Sequence, residues 1–159
     1  GWAQEGSKTA KPAATTAAPV SKVDSRLLAT LKKASYSYEE IEGGDLLRLL
    51  ITFPDGRSQQ VLITSQTQKN SALETRKIWS TAMKSEDPLS KDMANRLLMD
   101  TDKGAVGAWE LVKWADGYRV IFVHAVPAGL SADELKIVVR IVASRADAME
   151  KELTKADRF

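Results

Sequence analysis

The chain contains no cysteine and only one histidine among its 159 residues. The absence of thiols excludes disulfides, thiolate metal sites and cysteine nucleophiles, and it leaves the redox compartment undefined. A single histidine cannot form a metal site without carboxylate partners, and the residues around His124 supply none. We therefore expect His124 to be a mostly buried structural residue and not a catalytic base.

A large excess of one charge and long apolar runs are also missing. Lys and Arg total 23 against 21 Asp and Glu, which gives a net charge of +2. So small an excess, with cations interleaved with acids, argues against the basic stripe that nucleic-acid binding needs. No apolar run approaches membrane-spanning length. The chain is 43% hydrophobic and 28% charged, which is typical of one globular domain with its own core.

Motifs for catalysis and metal binding are not found. No serine lies in a Gly-x-Ser-x-Gly elbow, and Gly104-Ala105-Val106-Gly107 precedes a strand, whereas phosphate loops follow one. Acidic residues cluster twice, but without the alternating spacing of a calcium loop, so we interpret both clusters as solvated surface charge. We predict a non-enzymatic protein with no catalytic residue, cofactor or metal. The two clusters are Glu39, Glu40, Glu42 and Asp45, and Asp100-Thr101-Asp102.

The first twenty residues differ in composition from the rest. Residues 7–19 are almost entirely Ala, Thr, Lys and Pro, which predicts a linker that cannot bury enough apolar surface to fold. Gly1 and Ala3 suit the −3 and −1 positions of a signal-peptidase site before Gln4. This pattern predicts an exported, periplasmic or cell-envelope protein with residues 1–20 as a tail and residues 21–159 as one domain. The alternative is an arbitrary start on a cytoplasmic protein.

Apolar periodicity divides the domain into helices and strands. Asp116-Gly117 between two apolar runs predicts a hairpin, and Ser131 with Glu134 predicts a capping box that begins a long helix. Residues 76–83 suit a helix slightly better than a strand on spacing alone. The predicted helices are residues 22–34 after the N-cap Ser21, a helix from Pro88 after the N-cap Asp87 with Leu89, Met93, Ala94, Leu97 and Leu98 as its apolar stripe, and residues 132–153; the predicted strands are residues 36–41, 46–53, 59–65, 106–114 and 118–126.

This order resembles the fold of type III secretion chaperones and the related YbjN-type family, often labelled sensory transduction regulators. Three features carry the resemblance: Leu97-Leu98 before Gly104, the strand over residues 107–111 with its Asp-Gly return, and the end of the last helix over residues 146–153. The resemblance implies an α+β fold of order α-β-β-β-(β)-α-β-β-α, with residues 76–83 as a strand in an antiparallel sheet. It also implies a protein-binding or assembly role, commonly as a homodimer, and it supplies no catalytic residues.

An apolar surplus indicates where such binding would occur. Residues 120–126 are apolar on both parities apart from His124, and Ile137 and Ile141 widen the stripe of the last helix. Trp109 and Trp114 have opposite parity, so one of them points away from the main core. We predict a homodimer or partner surface that contains Trp109, Trp114, Ile137 and Ile141.

Two alternatives to this surface stay open. In the first, the sheet curls and the helices wrap both of its sides, so that one chain covers its own apolar surface. In the second, the protein is a small-ligand carrier or an enzyme. Its pocket would then lie between sheet and helices and be lined by Trp109, Tyr118 and Phe122.

Overall fold

A computed structural model describes residues 22–159 of the chain. The predicted tail over residues 1–20 and the predicted N-cap Ser21 lie outside the described residues. Within them the chain forms three α-helices and seven strands, with a 3₁₀ turn at Glu42–Gly44. In chain order these elements are α1 (Ser25–Lys33), β1 (Glu39–Ile41), β2 (Leu46–Thr52), β3 (Ser58–Thr64), β4 (Gln68–Asn70), β5 (Leu73–Ser85), α2 (Lys91–Thr101), β6 (Ala108–Trp114), β7 (Gly117–Pro127) and α3 (Ala132–Thr154).

All seven strands join one sheet in the order β1-β2-β3-β5-β7-β6, with β4 paired to β5 beside this path. Every pairing is antiparallel, which confirms the predicted α+β class. Residues 76–83 lie within β5, so the strand interpretation is correct and the bare spacing was misleading. Spacing was misleading because Ile78 and Trp79 are both buried, on opposite faces of the sheet. The strand therefore lacks the alternation of apolar and polar residues that marks a strand exposed on one face.

The helices pack on one face of the sheet and form the principal core there. Helix α3 packs across β3, β5 and β7, and α1 lies against α3. Val61 and Ile63 are fully buried in this core, as their parity predicted. Val139 and Val142 of α3 are also fully buried, which confirms the predicted inward face of the last helix.

The start of α3 is as predicted. The Ser131 hydroxyl oxygen accepts a hydrogen bond from the Glu134 amide at 3.2 Å, and the Ser131 amide donates to the Glu134 carboxylate at 2.7 Å. Each side chain thereby satisfies an amide that has no partner within the helix. The Asp-Gly turn is also confirmed, because Trp114 pairs with Gly117 at the end of the β6–β7 ladder.

The starts of the other two helices were predicted wrongly. Helix α1 begins at Ser25 and not at residue 22, because Asp24 is its N-cap and accepts a hydrogen bond from the Arg26 amide at 2.9 Å. Helix α2 begins at Lys91, because Ser90 is its N-cap. In both cases a second capping residue lies three positions after the predicted one, and it is the one that satisfies the free amides.

The apolar stripe of α2 is narrower than predicted. Leu97 is buried in the principal core, but Leu98 is 66% exposed. Consecutive helical residues point about 100° apart, and α2 packs mainly against the edge strand β6. Such an edge contact covers only a narrow stripe. None of the helices in the described part of the chain has the length and apolar composition needed to cross a membrane.

Candidate functional site

The face of the sheet opposite the helices carries a separate apolar cluster, which we call the second face. Side chains alternate along each strand, so Ile78 and Phe122 point to the helices while Trp79 and Ile121 point away. Among residues 22–159, no helical residue belongs to this cluster. The second face consists of the buried Leu46, Trp79, Ile121 and Val123 with the half-buried Ile41, Leu62, Val112 and Trp114.

Two tryptophans form the centre of the second face. The rings of Trp79 and Trp114 meet edge to face with centroids 6.3 Å apart. The guanidinium of Arg119 lies 3.7 Å from the ring centre of Trp114 on the neighbouring strand. Such cation–π and edge-to-face contacts fix the side chains and hold Trp114 as a rigid, half-buried platform.

Charged residues of both signs surround this apolar centre. Lys77 Nζ lies 3.4 Å from the Glu110 carboxylate, and Arg119 lies 3.5 Å from Asp116. Lys77 and Glu110 keep more than two fifths of their side-chain surface exposed. Pairs this exposed contribute little to folding stability, but they are available for contacts with a second molecule. The second face therefore has an apolar centre and a charged rim, as protein interfaces do.

Trp109 lies on the opposite side of the sheet from Trp114. It is 7% exposed in the principal core, where its ring meets Phe122 edge to face at 5.0 Å. Its indole Nε1 donates to Asp100 Oδ2 at 2.7 Å, and Arg145 donates to the same oxygen at 2.7 Å. Partial burial acts to raise the pKa of Asp100, but these two hydrogen bonds and the positive charge of Arg145 outweigh it and lower that pKa. Trp109 thus links the sheet to the end of α2.

The two isoleucines of α3 differ in burial. Ile137 is 59% exposed, and Ile141 is half-buried against the principal core. The four residues of the predicted surface therefore do not form one patch. Trp114 belongs to the second face, Trp109 to the core, and Ile137 and Ile141 to the helix layer. Strand parity separated the two tryptophans correctly, but it could not show which of them the helices cover.

The other residues considered for chemistry occupy ordinary positions. His124 is half-buried in the middle of β7 and pairs with Ile78, so it is less buried than expected. Glu39 forms an ion pair with Arg48, and Glu42 and Asp45 are exposed beside a hollow of about 420 Å³. In the described part of the chain, these acids do not bring their ligand atoms together as a metal site requires. Trp109 and Phe122, predicted to line a ligand pocket, pack against each other instead.

A cluster of three carboxylates at the end of α3 was not predicted. Asp147, Glu150 and Asp157 place one oxygen each within 4.8 Å of the others. Arg57 lies among them, with its Nε 2.8 Å from Asp147 and its Nη2 3.8 Å from Glu150. The guanidinium supplies the positive charge that a metal ion would otherwise bring. The cluster thus ties the β2–β3 turn to α3.

Glu150 is the fully buried member of this cluster. Burial raises the pKa of its carboxyl, while the Arg158 amide and the charge of Arg57 act in the opposite direction. Nothing local in the sequence signals this contact, because Arg57 and Asp147 are 90 positions apart. Only a search for opposite charges in distant segments of the chain could have predicted this contact.

No protein-family model and no curated protein matches this chain. The apolar centre and the charged rim of the second face are therefore the basis for its function.

Proposed function

We propose that this protein is a non-enzymatic binding module that forms a homodimer through the second face of its sheet. The observation that carries the proposal is the half-buried Leu62, Val112 and Trp114 on a face to which no helix of residues 22–159 contributes. Trp79 lies beneath them, already buried within the chain, and supports Trp114. Rigid aromatic side chains with an apolar surround are enriched at the centres of protein interfaces. The resemblance to the secretion chaperones and the YbjN-type family supports the same role, since homodimers are common there.

The charges around the second face favour a second copy of the chain as the partner. A two-fold interface brings the same patch together twice, so each residue must find its complement within that patch. The rim offers Lys77 beside Glu110 and Arg119 beside Asp116, which provides both signs within a short distance. A rotated copy can therefore place acids opposite bases on both sides. A partner of one charge sign would leave half of the rim opposed by like charge.

The edge strand β6 provides a matched test of this proposal. Val112 and Leu111 are neighbours on β6, but Val112 belongs to the second face and Leu111 lies on the other side, 43% exposed. We expect Val112→Glu to convert a dimer into a monomer in sedimentation equilibrium at micromolar concentration, because it buries an unpaired charge at the interface. Leu111→Glu adds the same charge to the same strand and should leave the dimer intact.

A third variant examines the helix layer. Ile137→Glu places the charge on the exposed side of α3, which we expect to tolerate it without change in mass. Dissociation by Ile137→Glu alone would move the interface to α3 and contradict the proposal. A monomeric unmodified chain would contradict it as well.

Export stays a prediction, and fractionation of cells that express the full-length gene would test it.

A further inference from the structure

The ladder between β3 and β5 is much shorter than either strand. Only Leu62 with Trp79 and Ile63 with Ile78 form ladder pairs, although β3 has seven residues and β5 thirteen. The register of β5 against β7 also shifts between Thr81 and Met83, as at a β-bulge. A bulge bends its strand away from its neighbour. The first half of β3 therefore faces a gap and not a strand.

Polar side chains hold this gap at a fixed width. Gln59 is fully buried, and its amide Nε2 donates to Ser80 Oγ at 2.9 Å and to the Thr81 carbonyl oxygen at 2.7 Å. The Ser80 hydroxyl in turn donates to the Gln60 carbonyl oxygen. These bonds satisfy groups that would otherwise be unpaired at the break in the ladder. The gap is thus a built feature of the sheet.

The segment that follows α3, residues 156–159, occupies the gap. The Gln60 amide donates to the carbonyl oxygen of Phe159, and the Ser58 amide donates to the Asp157 carboxylate at 3.2 Å. Ser58 and Gln60 are alternate residues of β3, so their amides point to the same side. This is the side on which β5 would pair if the ladder continued. The segment therefore substitutes for a neighbouring strand.

The ring of Phe159 borders a hollow of about 190 Å³ that shares Leu62 and Arg119 with the second face. Lys84 Nζ lies 5.7 Å from the centre of that ring, a distance at which a cation attracts an aromatic face. Arg119 adds a second positive charge to the same wall. The position of this ring thus suits an aromatic side chain, and the Ser58 amide suits an acidic one two positions earlier. The hollow is lined by Gln60, Leu62, Thr81, Lys84, Arg119 and, from the segment itself, Arg158 and Phe159.

Polar contacts and little apolar burial hold the segment in this position. Asp157 and Arg158 are exposed and Phe159 is half-buried, while the Arg158 amide donates to Glu150 and Arg57 lies 4.0 Å from Asp157. The segment leaves α3 at Lys155, which has a left-handed backbone with φ of 56°. A residue with a β-carbon is strained in that conformation, and glycine is the usual occupant of this position after a helix. Release of the segment at Lys155 would relieve this strain.

We infer that the gap between β3 and β5 is an acceptor site for an extended peptide that carries an aromatic residue two positions after an acidic one. The chain's own residues 156–159 occupy the site and compete with that peptide. The incoming peptide takes the Gln60 amide with its backbone carbonyl, the Ser58 amide with its carboxylate and the place of the Phe159 ring with its own ring. This is strand addition to a sheet, in which backbone bonds provide affinity and side-chain pockets provide specificity.

Fluorescence anisotropy with a labelled peptide tests the site. The probe is a synthetic peptide of residues 153–159, amidated so that the carbonyl oxygen of its last residue is kept without a free carboxylate. The full chain and its Phe159→Ala variant are titrated with this probe. We expect the variant to bind at least about tenfold more tightly, because its site is no longer occupied by the competing ring. A probe in which alanine replaces both the acidic and the aromatic residue should bind neither protein.

Two further variants separate this inference from others. Lys155→Gly relieves the left-handed strain and should hold the segment in place, so it should bind the probe no more tightly than the unmodified chain does. Val112→Glu removes the proposed dimer surface and leaves Ser58, Gln60 and the segment unchanged, although its cross-strand neighbour Arg119 borders the hollow. Peptide binding that persists in Val112→Glu, in combination with Phe159→Ala, would show that the acceptor site is independent of self-association.

The inference is overturned by any of three results. Equal affinity of the unmodified chain and Phe159→Ala would show that the segment does not compete for the site. No binding to a Phe159→Ala variant with an unchanged near-ultraviolet dichroism spectrum would show that the gap accepts no peptide. A dimer of the unmodified chain that Phe159→Ala dissociates would assign the site to the same segment of a second copy.

Discussion

Replacement of Gly107 by alanine tests how tightly the hairpin packs against the principal core. Gly107 has φ of 76°, in the left-handed region, and an added β-carbon there would lie 2.6 Å and 2.8 Å from two ring carbons of Phe122. The ring cannot move aside easily, because Phe122 is fully buried and meets Trp109 edge to face. The same β-carbon would lie 3.0 Å from the Val123 carbonyl oxygen, which belongs to the backbone of β7.

The size of the effect follows from two separate costs. A β-carbon in left-handed backbone costs roughly 1–2 kcal/mol. An extra carbon forced into a packed core costs typically about 1–3 kcal/mol more. Gly107→Ala should therefore lower the free energy of unfolding by roughly 2–5 kcal/mol, a large part of the roughly 5–15 kcal/mol that a domain of this kind has.

Gly56 provides the matched control. It has φ of 86°, but nothing lies within 4 Å of an added β-carbon. Gly56→Ala should therefore show only the backbone cost, about 1–2 kcal/mol. Urea denaturation followed by tryptophan fluorescence measures both variants, with the m-value as a check that the transition stays two-state. If the two variants lost equal stability, Gly107 would not be in contact with Phe122 as described, and the packing argument would be refuted.

Two further substitutions test the helix face and the buried charge. Val142→Asp should lower the free energy of unfolding by several kcal/mol, because it buries an unpaired charge against the sheet. Ile137→Asp on the exposed side of α3 should cost far less. Thermal denaturation compares the two variants, and equal midpoints would show that the buried face of α3 is assigned wrongly. Hydrogen bonds from Arg26 and from the buried Arg76 hold the pKa of Asp24 well below its usual range. The stability from Asp24 is therefore fully present above its unfolded pKa of about 4 and is lost as the pH falls through the lower folded value. Asp24→Asn should cost roughly 3 kcal/mol at neutral pH, because Arg76 loses its counter-charge, and urea melts should show that the deficit shrinks between about pH 4 and pH 2. A deficit that stays constant across that range would exclude Asp24 as the titrating group.

The local features of this fold could be predicted because their causes lie within a few residues. The capping box at Ser131 and the turn at Asp116-Gly117 each depend on side chains that satisfy or permit the adjacent backbone. The inward parity of Val61 and Ile63 follows from the two-residue period of a strand. Helix starts were less certain, because Asp87 and Ser90 are both good N-caps, and the structure uses Ser90.

The candidate sites depended on contacts that no local pattern contains. Strand parity placed Trp109 and Trp114 on opposite faces, but the position of the helices decided that Trp109 is covered and that Trp114 lies on the second face. The ion-pair cluster joins Arg57 to Asp147 across 90 positions. The gap that receives Phe159 lies where the ladder between β3 and β5 ends, next to the register shift of β5 against β7.

The sequence by itself therefore determined most elements of this protein, their order and the inward side of the longest ones, because hydrophobic period, turns and caps act over one or two turns of chain. Only the tertiary structure decided which apolar side the helices cover, where the sheet opens and which distant charges meet. Those features depend on how elements far apart in the chain pack together, and the surfaces proposed here for self-association and peptide binding both arise at that level.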